Sequence, residues 1–271
     1  MRENRLRRLW REGRRTVNGW CAIPSAFAAE LMAHQGYDSL TVDLQHGLVD
    51  PATAVAMLQA ISTPEVVPLV RVPWREPGIV MKMLDAGAYG IICPMVGNRA
   101  EAEELVAFGR YPPRGTRSFG PVRANLYAGS DYFARADAEV LLLAMIETRE
   151  GVERLDEILA VDGLDGVYVG PADLALALGH PPGFDHERPE LLTVIRRVAE
   201  RARAHGKVAG IHTMSPAYAR RMWGLGFHFV SLMTDSRMLA AKARELLDAL
   251  RGGGDGDGGP GDRGRGSCRT W

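Results

Sequence analysis

Short apolar runs alternate with longer segments of helical periodicity along most of the chain. The runs are rich in Val, Ile and Leu, a composition typical of strands buried in a parallel sheet. There are eight of them: TVNGWCAI, SLTVDL, EVVPLVRV, GAYGIICPMV, EVLLLAMIET, LDGVYVG, KVAGIHT and FHFVSLM. The segments between them place apolar residues at i, i+3 and i+4, and several end at glycine, as helices do. The pattern predicts an α/β protein in which each strand is followed by a covering helix.

Eight strand–helix units in about 250 residues are the number found in a (β/α)8 TIM barrel. We therefore expect a single barrel domain over residues 1–251. An open doubly wound sheet is the alternative, but no Gly-x-Gly-x-x-Gly follows the first strand, and no nucleotide cofactor is expected. The glycine-rich segment 252–271 is predicted to be a disordered tail. The long connection Tyr111 to Ala138 is expected to serve function or subunit contact.

Composition and charge argue against several classes of function. The chain has 33 basic and 33 acidic side chains, so its formal net charge of zero argues against general nucleic-acid binding. No run approaches the roughly 18 apolar residues of a membrane span, so no membrane partner is expected. The three cysteines, Cys21, Cys93 and Cys268, have neither disulfide nor zinc-ligand spacing, which indicates a reducing compartment and a cytoplasmic location.

The first 33 residues superficially resemble a signal peptide, because a basic start precedes an apolar run. Glu3 and Glu12 interrupt the basic part, and Pro24 and Ser25 interrupt the apolar part. An amphipathic helix, a strand to Ile23 and a helix starting at Ser25 fit the pattern better.

Polar side chains follow most of the predicted strands, at the ends where barrel enzymes place their chemistry. Read in order, these ends carry Trp20, then Asp43, Gln45 and His46, then Arg71, Glu147, Asp173 and His212. Each residue alone has an ordinary structural explanation, such as a helix cap, a salt bridge or a satisfied histidine. Their convergence on one rim instead indicates a site.

The residue types suggest their roles. Glu147 and Asp173 come from neighbouring strands and can share a hard divalent cation. Arg71 offers a forked donor to an oxyanion or a carboxylate. Histidine as a residue type ordinarily gains or loses its proton near neutral pH, so a histidine at position 46 suits proton abstraction. The backbone amides of Ala172 and Asp173, at a turn into a helix, can hold a carboxylate.

A Schiff-base lysine is the other way to activate a carbonyl compound in such a barrel. Only three lysines occur, Lys82, Lys207 and Lys242, and none is at the C-terminal end of a predicted strand. The sequence therefore favours metal-assisted chemistry over a Schiff base.

Six ordered motifs carry a resemblance to a known family. They are GYDSLTVDLQHG, PLVRVPW, MLDAGAYGIICPMV, YPPRGTRSFGP, MIETREGVERLDEI and GVYVGPADLALALG. Together they resemble the pyruvate-dependent class II aldolases of the HpcH/HpaI aldolase/citrate lyase family, in the style of the 4-hydroxy-2-oxoheptanedioate and 2-keto-3-deoxy-sugar-acid aldolases. The likeness runs from about Asn18 to Leu239.

The resemblance implies a carbon–carbon lyase that cleaves 4-hydroxy-2-oxo acids to pyruvate and an aldehyde through a pyruvate enolate held by a metal. The implied metal is Mg, Mn or Co, with Zn as a further option, and the implied assembly is a hexamer or trimer of dimers. The implied roles are metal ligands Glu147 and Asp173, base His46, oxyanion donor Arg71, an acid Asp85 that raises the basicity of the histidine, and substrate contacts at Trp20, Gly170, Pro171 and Ala172.

Two positions depart from the family pattern. Gln45 stands where many members have a glutamate before the histidine, which removes a negative charge beside the base. Met145 stands where the sugar-acid aldolases have a glutamine, and its thioether cannot donate a hydrogen bond to a substrate oxygen. Asp43 and His212 are secondary candidates for the same site. We expect these two departures to affect the substrate class.

Two alternatives stay open on the sequence. One is a lyase acting on an acyl-CoA thioester of the malyl- or citramalyl-CoA type, which needs a basic surface such as Arg117 and Arg123 could form. The other is a non-catalytic barrel.

Overall fold

The structure is a computed structural model and describes residues 1–62 and 64–252. The predicted tail therefore lies outside the described residues, apart from Gly252, which ends the last helix. Residues Met1–Arg237 form one compact unit that contains all eight strands, and the rest of the last helix belongs to a second unit. The single domain of residues 1–251 stays a prediction.

Eight parallel strands form a closed barrel in chain order. They are β1 (Thr16–Cys21), β2 (Ser39–Asp43), β3 (Val67–Arg71), β4 (Gly90–Cys93), β5 (Leu141–Ile146), β6 (Gly166–Val169), β7 (Val208–Thr213) and β8 (Phe229–Leu232). The ladder closes where β8 pairs with β1. The (β/α)8 prediction is confirmed, and the open doubly wound sheet is excluded because the barrel has no free sheet edge.

Helices precede, connect and follow the strands along the chain. They are α1 (Arg5–Arg11), α2 (Ala26–Ala33), α3 (Pro51–Ile61), α4 (Pro77–Asp85), α5 (Arg99–Gly109), α6 (Val122–Ala128), α7 (Tyr132–Glu139), α8 (Arg149–Glu153), α9 (Leu155–Leu159), α10 (Pro171–Ala177), α11 (Pro189–Ala204), α12 (Pro216–Gly224) and α13 (Asp235–Gly252). Side-chain caps fix several starts, as Ser25 does by accepting a hydrogen bond from the Ala28 amide. The long connection after α5 contains α6 and most of α7, which the sequence did not predict.

The interior of the barrel holds a satisfied polar network beneath the rim. The Tyr168 hydroxyl donates to Ser231 Oγ at 2.6 Å, and Asn18 Nδ2 donates to the same oxygen at 2.9 Å. Asn18 Oδ1 in turn accepts from Ser39 and Thr41. Because buried polar groups with all partners present rigidify a core, this network fixes the floor on which the rim side chains rest.

Among the described residues, no helix combines the length and apolar character needed to cross a membrane.

Candidate active site

A cavity of about 360 Å³ opens at the carboxyl ends of the strands. Its walls include most of the side chains predicted from the strand ends: Trp20, Asp43, His46, Arg71, Met145, Glu147, Gly170, Pro171, Ala172, Asp173 and His212. Gln45 and Asp85 do not line it. One rim thus gathers residues that are up to 192 positions apart in the chain, from Trp20 to His212.

Asp43 and Arg71 form the most strongly bonded pair on this rim. They end β2 and β3 and are directly opposite in the ladder. Arg71 Nε donates to Asp43 Oδ1 at 2.8 Å and Nη2 donates to Oδ2 at 2.6 Å. Trp20 Nε1 adds a hydrogen bond to Oδ2 at 3.1 Å, and the Trp20 ring lies 4.9 Å from the Arg71 guanidinium carbon. The arginine is therefore locked in orientation by a carboxylate and an aromatic face.

Asp43 also shapes the loop that carries the predicted base. Its Oδ1 accepts from the backbone amides of Gln45, at 3.0 Å, and His46, at 3.3 Å. Burial alone would raise the pKa of Asp43, but the hydrogen bonds and charge of Arg71 outweigh it and hold the pKa below its usual value. The carboxylate stays ionised and anchors both the arginine and the loop.

The His46 side chain is exposed where it lines the cavity, so water and substrate can both reach its ring. The neighbouring Gln45 is half-buried and has a different environment. Its Oε1 is buried, and within the described residues it has no hydrogen-bond partner. Gln45, which departs from the family pattern, therefore lies beside the predicted base without lining the cavity.

Glu147 follows β5 and is 2% exposed. Its Oε1 accepts from the Met95 amide at 2.9 Å, while its buried Oε2 has no partner among the described residues. Burial raises the pKa of Glu147 to about 7, opposed by the Met95 hydrogen bond and reinforced by the charge of Asp173. A buried carboxylate oxygen without a donor is costly unless a cation or another donor satisfies it.

Asp173 approaches the same place from the first turn of α10. Gly170 precedes that helix, and a Cβ there would overlap Glu147 Oε2 and lie 2.9 Å from Met145 Cε. Gly170 is thus needed because the glutamate packs directly against the backbone. The turn Gly170–Asp173 and the Glu147 carboxylate form one continuous wall of the cavity.

These two carboxylates fit a hard divalent ion. Magnesium is usually held by one or two carboxylates, with water and substrate oxygens completing an octahedron. Within the described chain, no group of three or more His, Cys, Asp or Glu side chains is arranged to hold a metal. The two carboxylates, with Glu147 Oε2 still lacking a partner, therefore fit an ion whose other ligands are water and substrate oxygens. They do not fit an ion held by protein side chains alone.

Aromatic side chains form another part of the cavity wall. His212 contacts Trp20 edge-on at 5.1 Å between centroids, and Phe184 at 5.4 Å. Burial and the charge of Arg71 lower the pKa of His212 to about 3, with Asp43 opposing, so its imidazole is neutral at physiological pH. A general base must accept a proton near neutral pH, which His212 does not do at this pKa. His212 therefore contributes a polar surface to the cavity wall.

Asp85 does not contact the cavity of its own chain. Its Oδ1 accepts from Arg117 Nη2 at 2.6 Å, and Arg117 also donates to the Tyr132 hydroxyl at 3.1 Å. Burial raises the pKa of Asp85 even though Arg117 acts to lower it. The structure therefore gives Asp85 an arginine partner from the long connection, and within this chain it does not bring Asp85 to His46.

The sequence reasoning missed a group of cavity residues: Ala22, Tyr168, Phe184, Thr234, Ser236 and Arg237. Three of them follow β8, where the segment Met233 to Arg237 carries polar residues past the strand end. Reading the eighth strand end like the other ends would have found Thr234, Ser236 and Arg237. Phe184 lies in a loop whose pattern gives no such signal.

The fold and the cavity define a (β/α)8-barrel protein with its candidate site at the carboxyl rim. A model of the HpcH/HpaI aldolase/citrate lyase family matches residues 19–241. The chain belongs to this family.

Three known proteins place it within the family. It is 48% identical over 248 residues to a hydroxypyruvate/pyruvate aldolase of Rhizorhabdus wittichii, covering 92% of this chain and 99% of the relative. It is 38% identical over 237 residues to a 5-keto-4-deoxy-D-glucarate aldolase of an Enterobacter species, covering 87% and 92%. A solved HpcH/HpaI family structure from Burkholderia cenocepacia superimposes with a TM-score of 0.86 at 32% identity, covering 92% of this chain and 99% of that one.

Proposed function

We propose that the protein is a divalent-metal-dependent class II aldolase. It cleaves 4-hydroxy-2-oxo acids to pyruvate and an aldehyde, and it forms them in the reverse direction. The observation that carries the proposal is the buried Glu147 Oε2, which has no partner among the described residues and lies on a cavity wall shared with Asp173. The names of the two aldolase relatives support the same reaction class.

Glu147 and Asp173 would hold the ion. When bound, a divalent cation acts as a Lewis acid that polarises the 2-oxo group of the substrate. The backbone amides of Ala172 and Asp173 line the same wall and suit the substrate carboxylate. Mg²⁺, Mn²⁺ and Co²⁺ all accept such oxygen ligands, and we propose that the ion is one of these three.

Arg71 is oriented to stabilise oxygen charge. Asp43 takes its Nε and Nη2, and no group of the described chain takes Nη1. The remaining donors of this fixed fork are available on the cavity side, where negative charge develops on the substrate oxygen during cleavage.

His46 suits the proton transfer. It removes the C4 hydroxyl proton, directly or through one water, as the C3–C4 bond breaks and the aldehyde forms. The electron pair of that bond stays on the pyruvate fragment as an enolate, which a proton at C3 converts to pyruvate. The ring is exposed at the cavity, so solvent reaches it between turnovers.

The acyl-CoA alternative is disfavoured by the contacts of the two arginines that could have formed its basic surface. Arg117 is 1% exposed and bonded to Asp85 and Tyr132. Arg123 donates to the Ala86 carbonyl and to Ser62 Oγ. Both cations are committed to internal contacts, so neither offers a basic surface for a nucleotide.

We also propose a homo-oligomer, a hexamer or trimer of dimers. The long connection exposes a cluster of large apolar side chains, Phe119 at 67%, Val122 at 80%, Leu126 at 85% and Phe133 at 52%. The Phe119 and Phe133 rings contact each other, and Val122 and Leu126 lie one helical turn apart on α6. Exposed apolar surface of this kind commonly marks an interface. A cytoplasmic location stays a prediction from the sequence.

The direct test needs no aldehyde. Protein supplied with Mg²⁺, Mn²⁺ or Co²⁺ is incubated with pyruvate in D₂O, and loss of the methyl signal is followed by proton NMR. We expect exchange that a chelator abolishes and added metal restores. Metal-supplied protein without exchange would refute the aldolase proposal. Pyruvate release from a panel of 4-hydroxy-2-oxo acids then identifies the substrate.

A further inference from the structure

We propose that a cavity at the amino end of the barrel binds a small organic dianion, whose charged groups are carboxylates or a phosphate ester. The cavity has a volume of about 290 Å³, and three arginines line it, Arg2, Arg5 and Arg8. Small-molecule pockets span about 300–1,000 Å³, so a compact molecule fits this space and a dinucleotide does not. The inference concerns a second site and does not depend on the proposed aldolase function.

This cavity and the candidate active site lie at opposite ends of the strands. Val67 begins β3 and lines this cavity, whereas Arg71 ends β3 and lines the candidate active site. Tyr89 directly precedes β4 and also lines this cavity. Asn4 ties the segment before α1 to the same end, because its Nδ2 donates to the carbonyls of Tyr89, at 3.2 Å, and Glu139, at 2.8 Å. The length of the strands therefore separates a ligand bound here from the groups of the rim.

Arg2 is a cation held in a defined position without a counter-charge. Its guanidinium carbon lies 4.5 Å from the Tyr127 ring centroid. Its backbone amide donates to the Ala128 carbonyl at 2.6 Å, and its carbonyl accepts from the Tyr89 hydroxyl at 2.9 Å. In the part of the chain that the structure describes, no carboxylate forms an ion pair with it. Because stacking uses the face of the guanidinium, N–H groups at its edge remain for an oxyanion.

Arg5 and Arg8 are one turn apart on α1 and have weak partners. Arg5 Nη2 is 3.2 Å from Asp38 Oδ1, and Arg8 Nε is 3.3 Å from Glu3 Oε2. Glu12 approaches Arg8 only to 3.8 Å. The two arginine side chains are 37% and 47% exposed. Since exposed ion pairs contribute little and are screened by salt, a dianion can compete for both cations.

The local charge is positive although the whole chain is neutral. The first 15 residues contain seven arginines and two glutamates. At the cavity itself, the three arginines face two carboxylates, Glu3 and Glu65, and both of these residues are exposed to solvent. A local surplus of positive charge raises the concentration of anions near the surface. Arginine also offers a forked donor that matches carboxylate and phosphate oxygens.

The apolar part of the wall favours an organic ligand over an inorganic ion. Val66 and Val67 line the cavity and are each 5% exposed. Tyr89 and Tyr127 add aromatic rings, packed edge to face at 5.1 Å between centroids. A short carbon chain can bury apolar surface against these groups while its charged ends reach the arginines. An inorganic ion gains nothing from this part of the wall.

The test measures binding of glutarate, glycerol 3-phosphate and sulfate by titration calorimetry, at constant ionic strength and with a chelator present. Glutarate carries two carboxylates and glycerol 3-phosphate one phosphate ester, so these two arms distinguish the sources of the charge. We expect at least one of them to bind the wild type at one site per chain, and sulfate to bind more weakly. Arg2→Gln should weaken binding roughly 10- to 100-fold, the range of a charge-assisted hydrogen bond, and Arg2→Lys should retain part of it. Glu65→Gln should tighten binding, because it removes a like charge from the cavity.

Two control variants separate this cavity from other cationic groups. Arg220→Gln removes an exposed arginine of α12 that lines neither cavity, and Arg237→Gln removes an arginine of the candidate active site. Both should bind the dianion like the wild type, and Arg2→Gln should keep native circular dichroism.

Four results would overturn the inference. They are no binding of either organic dianion by the wild type, sulfate binding as tightly as both, equal binding by Arg2→Gln, and weakened binding in either control variant. Weakening by Arg237→Gln would place the anion at the rim instead. Because the assay needs neither metal nor turnover, its failure leaves the aldolase proposal untouched, and failure of pyruvate proton exchange leaves this site untouched.

Discussion

Asp43 and Arg71 meet at two points across the β2–β3 ladder, with N–O distances of 2.8 and 2.6 Å. One carboxylate thereby orients the proposed oxyanion donor, and through the backbone amide of His46 it also holds the loop of the proposed base. Asp43 can therefore influence both proposed catalytic groups without contacting the substrate. We propose that it acts as a positioning residue.

Replacing Asp43 by Asn keeps the shape of the side chain but removes its charge, so it tests whether the charge is needed. The amide cannot balance the charge of the partly buried Arg71, so we expect kcat/KM to fall roughly 10²–10³-fold, as for a lost oxyanion donor. Losing these charge-assisted hydrogen bonds should also lower the free energy of unfolding by about 2 kcal/mol. Steady-state kinetics and urea unfolding measure the two effects.

The control for this substitution is Asp50→Asn. Asp50 caps α3 through the Thr53 amide at an exposed position, and Asn caps helices equally well. Both variants should keep native circular dichroism. If Asp43→Asn turned over like Asp50→Asn, Asp43 would have no part in positioning Arg71.

The sequence predicted the barrel and most of the rim because both depend on local pattern. Runs of four to eight apolar residues indicate strands, and a polar residue directly after a strand must lie at the rim. Side-chain contacts between residues that are far apart in the chain cannot be predicted in this way. Nothing local indicates that Asp85 pairs with Arg117, 32 residues away, or that Arg237 stacks on Phe184. Helices α6 and α7 were missed because they are only seven and eight residues long and each has an arginine within its apolar pattern.

Gly170→Ala should disable the metal site through shape alone. The added methyl group would overlap Glu147 Oε2 and press on Met145, so the carboxylate must move. We expect Mn²⁺ affinity, measured by titration calorimetry, to fall roughly 10- to 100-fold, comparable to the loss of a group that orients a ligand. Gly224→Ala, at a helical position with no atom near the new Cβ, is the matched control and should bind normally. Equal affinity in the two variants would contradict the close approach.

Glu147 should make the metal-free protein less stable as pH rises. Its pKa is about 7 in the folded state against an ordinary value of 4.5, so between these values the native state holds a proton that the unfolded chain releases. Stability is therefore lost as pH rises from 4.5 to 7, by at most about 3 kcal/mol at 1.36 kcal/mol per pKa unit. Urea unfolding in chelator at pH 5 and pH 8 measures the loss.

Glu147→Gln removes the titrating group and serves as the comparison. The decline from pH 5 to pH 8 should be smaller in this variant by the amount due to Glu147. Added Mn²⁺ should reverse the wild-type loss at pH 8, because the ion replaces the proton on the carboxylate. Identical pH profiles for the two chelated proteins would rule out the raised pKa.

The exposed apolar cluster on the long connection should be an intersubunit surface. Val122→Asp with Leu126→Asp places two charges on the exposed face of α6 without disturbing the core. We expect the wild type to sediment as an oligomer and the double variant to shift to smaller species with unchanged circular dichroism. A monomeric wild type in analytical ultracentrifugation would overturn the assembly proposal.

His46→Ala should lower turnover without affecting the metal. The ring is exposed at the cavity and is not one of the carboxylates proposed to bind the ion, so Mn²⁺ affinity should stay within about twofold. A positioned base typically contributes 10²–10⁴-fold, and kcat for cleavage of a 4-hydroxy-2-oxo acid should fall by roughly that factor. His34→Ala, at an exposed histidine after α2, is the control and should keep full activity. An unchanged kcat in His46→Ala would remove His46 from the proton-transfer role.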